Sequence, residues 1–107
     1  MIVKGSAGFL RNIFDIEKIA SQAISILNAA RVSFSKMDFS GICIPYANLR
    51  YAIMDNTNLK RANLQNVVFA NAFLKDTDFS ESNMKDVDFA QKPVLPGQFL
   101  RGYFIHF

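Results

Sequence analysis

The chain has 107 residues, of which 50% are hydrophobic and 20% charged, with a net charge of +3. That length bounds it to one domain, and the balance fits a packed chain rather than a disordered one. One cysteine and one histidine exclude a disulfide framework and a multi-histidine metal site.

Residues 1–8 hold no charged start followed by a long apolar core, so no secretory signal is expected. No run approaches the roughly eighteen uncharged residues of a membrane span. A cytoplasmic chain is the expectation, and the lone Cys43 agrees with it. The spacing predicts an α-helix over residues 9–31, starting at Ser6 or Gly8. Leu10, Ile13, Phe14, Ile16, Ala20, Ile24 and Leu27 recur at three- and four-residue steps. Arg11, Asp15, Lys18, Gln22, Ser25 and Asn28 fall mostly elsewhere. No Gly or Pro marks the stop; the change to extended patterning at Val32-Ser33-Phe34 sets it. The basic surplus of the chain lies outside the middle, in Lys4, Arg11, Lys18, Arg31 and Arg101 against Asp15 and Glu17.

From Phe34 to Phe89 every fifth residue is large and apolar: Phe34, Phe39, Ile44, Leu49, Met54, Leu59, Leu64, Phe69, Leu74, Phe79, Met84 and Phe89. Two residues before each stands a small or β-branched side chain, Met37 excepted. On a helix, five residues turn roughly 500°, which would scatter this set around the axis. On a flat strand a step of five changes face each time. The set stays on one side only if the chain turns a corner every five residues. About four corners close a coil of roughly twenty residues, with coils stacked about 4.8 Å apart. Residues i−2 and i then point inward and the other three outward. Residues twenty apart match, as in Ala52 with Ala72, Thr57 with Thr77 and Phe69 with Phe89, the mark of a solenoid.

Ala47-Asn48-Leu49, Thr57-Asn58-Leu59, Ala62-Asn63-Leu64, Thr77-Asp78-Phe79 and Val87-Asp88-Phe89 resemble the pentapeptide-repeat family, whose consensus is A-(D/N)-L-x-x. The resemblance covers roughly residues 32–92. It implies an all-β solenoid, a right-handed quadrilateral β-helix of about three coils, with no shared catalytic site. The helix before the first coil is expected to cap it, since coil ends expose unpaired backbone groups. The expected division is therefore a capping segment at 1–31, the repeat at 32–92 and an aromatic tail at 93–107. Ile42-Cys43-Ile44-Pro45 departs from consensus, lacking the Asn or Asp and adding a proline at a corner. The order of helix, pentapeptide block and Gln91-Lys92-Pro93-Val94-Leu95 is also similar to the linker that precedes WD-repeat propellers in large multidomain proteins. That likeness implies a short relative or a fragment of such a protein.

In the tail, Pro93 and Pro96-Gly97 break the repeat. Phe99, Leu100, Tyr103, Phe104, Ile105 and Phe107 then crowd together, and are expected to fold back on the last coil or pair with another chain. No catalysis is expected: the one histidine, His106, is incidental beside the C-terminus, and Cys43 points outward with no histidine near it. Asp76, Asp78, Asp86 and Asp88 fall in pairs on opposite faces and cannot converge as acid and base. The Asn/Asp column reads as solvated corner residues that bond local backbone. No cofactor, metal ion or small-molecule substrate is expected, and no Walker or G-x-G-x-x-G loop is present.

Nucleic acid is not an expected partner, because the repeat is charge-balanced. The family resemblance offers one alternative, a DNA mimic that occupies topoisomerases, but that use needs a strongly negative rod. The reading is a non-catalytic protein–protein interaction or scaffolding module. Its surface is Ile53 and Phe73, twenty apart on one face, with Tyr51 and Val68 toward the adjoining corner. The occupant is a protein partner, a homodimer mate or the chain's own Phe99, Tyr103, Phe104 and Phe107.

Overall fold

The computed structural model describes the backbone of residues 5–90, 99–100 and 103–104, and the side chains of 15–90. From Val32 onward the backbone repeats a five-residue cycle. Two residues form a tight turn, closed by the N–H of residue i+3 on the carbonyl of residue i. The Met37 N–H reaches Phe34 at 3.2 Å and the Ile42 N–H reaches Phe39 at 3.0 Å. The second turn residue has positive φ, from Lys36 (64°) through Asn56 (60°) to Asp86 (57°), as a type II turn requires. Asn and Asp tolerate that region best among non-glycine residues, which accounts for Asn56, Asn66, Asn71, Asp76 and Asp86. Tyr46, Tyr51 and Arg61 adopt it too. Ladder bonds hold them there: their N–H groups donate to Gln65, Ala70 and Ser80 at 2.8–3.0 Å.

Between turns, parallel bridges join residues twenty apart in four columns. The columns are Ser33–Ile53–Phe73, Asp38–Asn58–Asp78, Cys43–Asn63–Asn83 and Asn48–Val68–Asp88. The chain thus stacks as three tiers, each giving one residue to every column. Bonds run both ways between tiers: the Phe34 N–H donates to Ile53 at 2.7 Å, and the Asn58 N–H to Met37 at 2.9 Å.

The core fills the space inside the tiers. Ile44, Leu49, Met54, Leu59 and Leu64 are fully buried, with Ala47, Ala52, Ala62, Val67 and Ala72 beside them. The two threonines at inner positions keep their hydroxyls bonded. Thr57 Oγ1 donates to the Phe34 carbonyl at 2.9 Å and Thr77 Oγ1 to Met54 at 2.7 Å, so neither carries an unmet polar group inside. Phe69 meets Phe79 edge-on at 5.6 Å and stacks on Phe89, twenty residues on, at 5.8 Å. Inward packing weakens at the ends of the stack. Val32 and Met37, expected to be inner, are exposed, and Met84, Val87 and Phe89 are half-buried. A terminal tier has a neighbour on one side only.

Helix α1 spans Gly5–Ala29, so it begins four residues before the expected 9 and ends two before 31. Its end is a Schellman closure: the Arg31 N–H donates to Asn28 at 2.9 Å and the Val32 N–H to Leu27 at 3.1 Å. Arg31 (φ 67°) takes the left-handed position that glycine usually holds. The expected buried stripe needs correction. Ile16 and Leu27 are exposed; the buried side of α1 is Ser21, Ile24 and Asn28, with Ala20 half-buried. Leu10, Ile13 and Phe14 have side chains outside the described residues. The reason is polar: the open end of the Asn48 column offers backbone groups. Ser25 Oγ accepts the Asn48 N–H at 2.8 Å and donates to the Ser21 carbonyl at 2.7 Å. Asn28 Nδ2 donates to the carbonyls of Arg50 at 2.9 Å and Asn48 at 3.3 Å.

In the tail, β1 (Phe99–Leu100) and β2 (Tyr103–Phe104) pair antiparallel, Phe99 opposite Phe104 and Leu100 opposite Tyr103. Their side chains, and residues 91–98 and 105–107, including His106 and Phe107, lie outside the described residues, and so does the expected docking of the tail.

Candidate functional site

The outward residue at most bridges has a structural duty. Asp38, Asn48, Asn58, Asn63, Asp78, Asn83 and Asp88 each accept, through Oδ1, the N–H two residues ahead at 2.7–3.2 Å. These residues lie on the bridges rather than at the corners as expected, and what they bond is the first N–H of the turn. That bond from the Ser40 backbone, helped by the Ser40 side chain, holds the Asp38 carboxyl below the usual carboxylate range, against a small opposing effect of burial.

Cys43, Ile53, Val68 and Phe73 occupy bridge positions without such a side chain. The structure compensates at two of them. After Cys43 the turn begins with Pro45, which has no N–H to satisfy. After Phe73, the Lys75 N–H is taken by Asp55 Oδ1 from the tier before, at 3.0 Å. The departure at Ile42-Cys43-Ile44-Pro45 is therefore self-consistent.

The structure places the apolar residues singled out in the sequence as follows. Ile53 and Phe73 are bridged neighbours in one column. Phe73 is 39% exposed and Tyr51, at the corner just before Ile53, is 55% exposed. Ile53 is half-buried, and so is Val68 in the adjoining column. The column thus brings Ile53 and Phe73 together, with Tyr51 next to them in sequence and Val68 one column away.

Cys43 is half-buried rather than free on the surface. Burial pushes its thiol up, and the hydrogen bond to and charge of Glu17 push it further, against Asn63 Nδ2 at 3.4 Å from Sγ. A raised thiol is a poor nucleophile. A groove of about 720 Å³ lies between α1 and the turn after Ile44, lined by Glu17, Ser21, Ser25, Ile26, Pro45 and Tyr46 among others. Ser21 Oγ, buried there, has no hydrogen-bond partner. Two ion pairs, Lys60–Asp78 and Arg61–Glu81, each at 3.8 Å, are too exposed to stabilise the stack much. Among the described residues no group of three or more His, Cys, Asp or Glu could hold a metal ion, and no helix is long and apolar enough to cross a membrane.

Sequence reasoning missed Ser25 and Asn28, which were grouped with the solvent-facing polar residues. Their signal was available, since Ser21, Ser25 and Asn28 share one helix face with Ile24. It missed Asp55 altogether, because a bond across twenty residues follows no local pattern.

The model of the family described as pentapeptide repeats, in eight copies, matches residues 46–80 and 57–91. No curated protein and no solved structure matches the chain. Proteins with these repeats are generally structural or interaction modules rather than enzymes. With its four columns and its turn every five residues, the block matched at residues 46–91 consists of pentapeptide repeats, as the model of that family describes them.

Proposed function

We propose that the chain is a non-catalytic interaction or scaffolding module, built on the right-handed quadrilateral β-helix of that family. Residues 1–31 cap it, 32–92 form the solenoid and 93–107 form an aromatic tail. The observation that carries the reading is the column of Ile53 and Phe73. Two apolar side chains stand stacked at bridge positions, most of which carry a hydrogen-bonding Asn or Asp, and Asp55 takes over the bond that Phe73 cannot make. Ile53 is already half-buried and Phe73 is 39% exposed, so hiding what remains of both stabilises a contact by roughly 1–3 kcal/mol, at about 25 cal/mol per Å². That contributes to holding a tail or a protein partner.

The tail supplies the first occupant to test, because Phe99, Tyr103, Phe104 and Phe107 have no repeat position of their own. Truncation after Val94 is expected to raise binding of a hydrophobic dye, and Phe73→Asp in the truncated chain to reverse the rise. Unchanged dye binding and sedimentation after truncation remove the tail as occupant and leave an outside protein partner for this surface. Dye binding that rises and then ignores Phe73→Asp removes the column as the site.

A further inference from the structure

The exposed side of α1 carries an apolar stripe that the Ile53–Phe73 column does not involve, with Ile26 at the edge where it also lines the groove beside Pro45 and Tyr46. Ile16, Ile19 and Ile26 are 65%, 63% and 68% exposed, and Ala23, Leu27 and Ala30 among them are exposed as well. Residues 16, 19, 23, 26 and 30 follow alternating steps of three and four, the spacing that keeps one helix face against another helix. Leu27 widens the stripe to the breadth of a helix packed in a bundle. We propose that this face pairs with the same face of a second copy of the chain, the two helices antiparallel about a twofold axis at Ala23.

Three observations select that occupant. The stripe is self-complementary in size. Reversal about residue 23 sets Ile16 opposite Ala30 and Ile19 opposite Leu27 of the second copy, and Ala23 opposite itself. Isoleucine meets alanine at the ends and leucine one turn in, Ile26 comes level with Ala20, and paired alanines let the backbones approach at the centre. A twofold interface requires such a self-match. The area also suffices. The exposed stripe amounts to on the order of 500 Å² of apolar surface, the size of the largest patch on a typical monomer, which is often functional. Two copies together hide about 1,000 Å², the threshold of a specific interface. Charge agrees too. Between residues 15 and 30 the only charges are Asp15, Glu17 and Lys18, none of them in the stripe, so a second copy meets no like charge there.

Sedimentation of the 107-residue chain across the micromolar range is expected to show a monomer–dimer equilibrium. Ile19→Asp with Ile26→Asp, at positions already in water, is expected to raise the dissociation constant at least about ten-fold. In a Cys43→Ser background, Ala23→Cys is expected to form a disulfide-linked dimer under oxidation. Ile16→Cys is not, because two such residues lie about 21 Å apart along antiparallel helices. A parent chain that stays monomeric overturns the proposal, as does a dimer indifferent to the double substitution. So does equal crosslinking from both cysteine positions. Binding to anionic vesicles that the double substitution abolishes, without self-association, overturns it in favour of a membrane. The outcome is independent of the tail truncation, which concerns a different surface.

Discussion

Replacing Asn28 with alanine tests whether α1 closes the stack through hydrogen bonds or through contact alone. The Asn28 amide donates to two carbonyls, Arg50 at 2.9 Å and Asn48 at 3.3 Å, and the longer bond counts for less. One such bond stabilises by about 0.5–1.5 kcal/mol net, and an orphaned buried acceptor costs about 1–3 kcal/mol. Asn48 and Arg50 are exposed residues, so water can reach carbonyls that lose their donor, and the full penalty does not apply. Asn28→Ala is therefore expected to destabilise the chain by about 1–2.5 kcal/mol. Asn28→Asp is sharper. It keeps the shape but sets an acceptor against two acceptors, so it is expected to cost more than alanine at neutral pH. Lowering the pH is expected to narrow the gap between the two variants, because the protonated acid regains a donor. Urea denaturation followed by circular dichroism, at constant m, gives the differences. An alanine variant within about 0.3 kcal/mol of the parent would refute the reasoning. An aspartate variant at least as stable as the alanine one at neutral pH would do the same.

Five other substitutions probe the repeat, the helix end and the groove. Leu64→Ala, at a fully buried inner position, is expected to cost roughly 2–5 kcal/mol, and Gln65→Ala, at the turn, under about 0.5 kcal/mol; equal losses in urea melts contradict the inward–outward register. Gly41→Ala is expected to destabilise by about 1 kcal/mol through the backbone alone, since φ is +74° and a Cβ there meets nothing within 4 Å. Arg31→Gly, at φ 67°, is expected to gain about 0.5–1 kcal/mol; thermal melts giving the opposite signs dismiss left-handed strain as the cause. Glu17→Gln is expected to speed alkylation of Cys43 by iodoacetamide at mildly alkaline pH, because Glu17 adds to the effect of burial in raising that thiol; an unchanged rate means that burial acts alone.

The fold was legible where a rule of period holds. The five-residue spacing of Ile44, Leu49, Met54, Leu59 and Leu64 places all of them inside the stack. The twenty-residue match of Ile53 with Phe73 appears as a bridge. Legibility failed where the partner of a surface decides which side is buried. The apolar periodicity of α1 pointed to Ile16 and Leu27, but the tier below it presents backbone N–H and carbonyl groups, and these select Ser25 and Asn28. Hydrophobic spacing carries no information about open ladder ends. The helix stop was misplaced for a related reason: a Schellman closure built on Arg31 lacks the glycine by which such ends are recognised. On the candidate surface, the positions of Tyr51, Ile53, Val68 and Phe73 followed from counting. The support of Lys75 by Asp55 did not, since it joins residues that only stacking makes neighbours.

A chain that corners every five residues and returns every twenty responds to insertions in quantised ways. One extra residue after Lys60 would swing every later side chain out of phase and expose Leu64 and Phe69. Five extra residues would preserve the interior yet advance everything downstream by one side, carrying Phe73 from the column of Ile53 to that of Asn58. Twenty would lengthen the stack and restore every face. Growth of the scaffold and rearrangement of its outer pattern are thus separate edits, distinguished only by the number of residues added. A lineage with this architecture can move an apolar side chain to a new side in one step while every inner position stays inner.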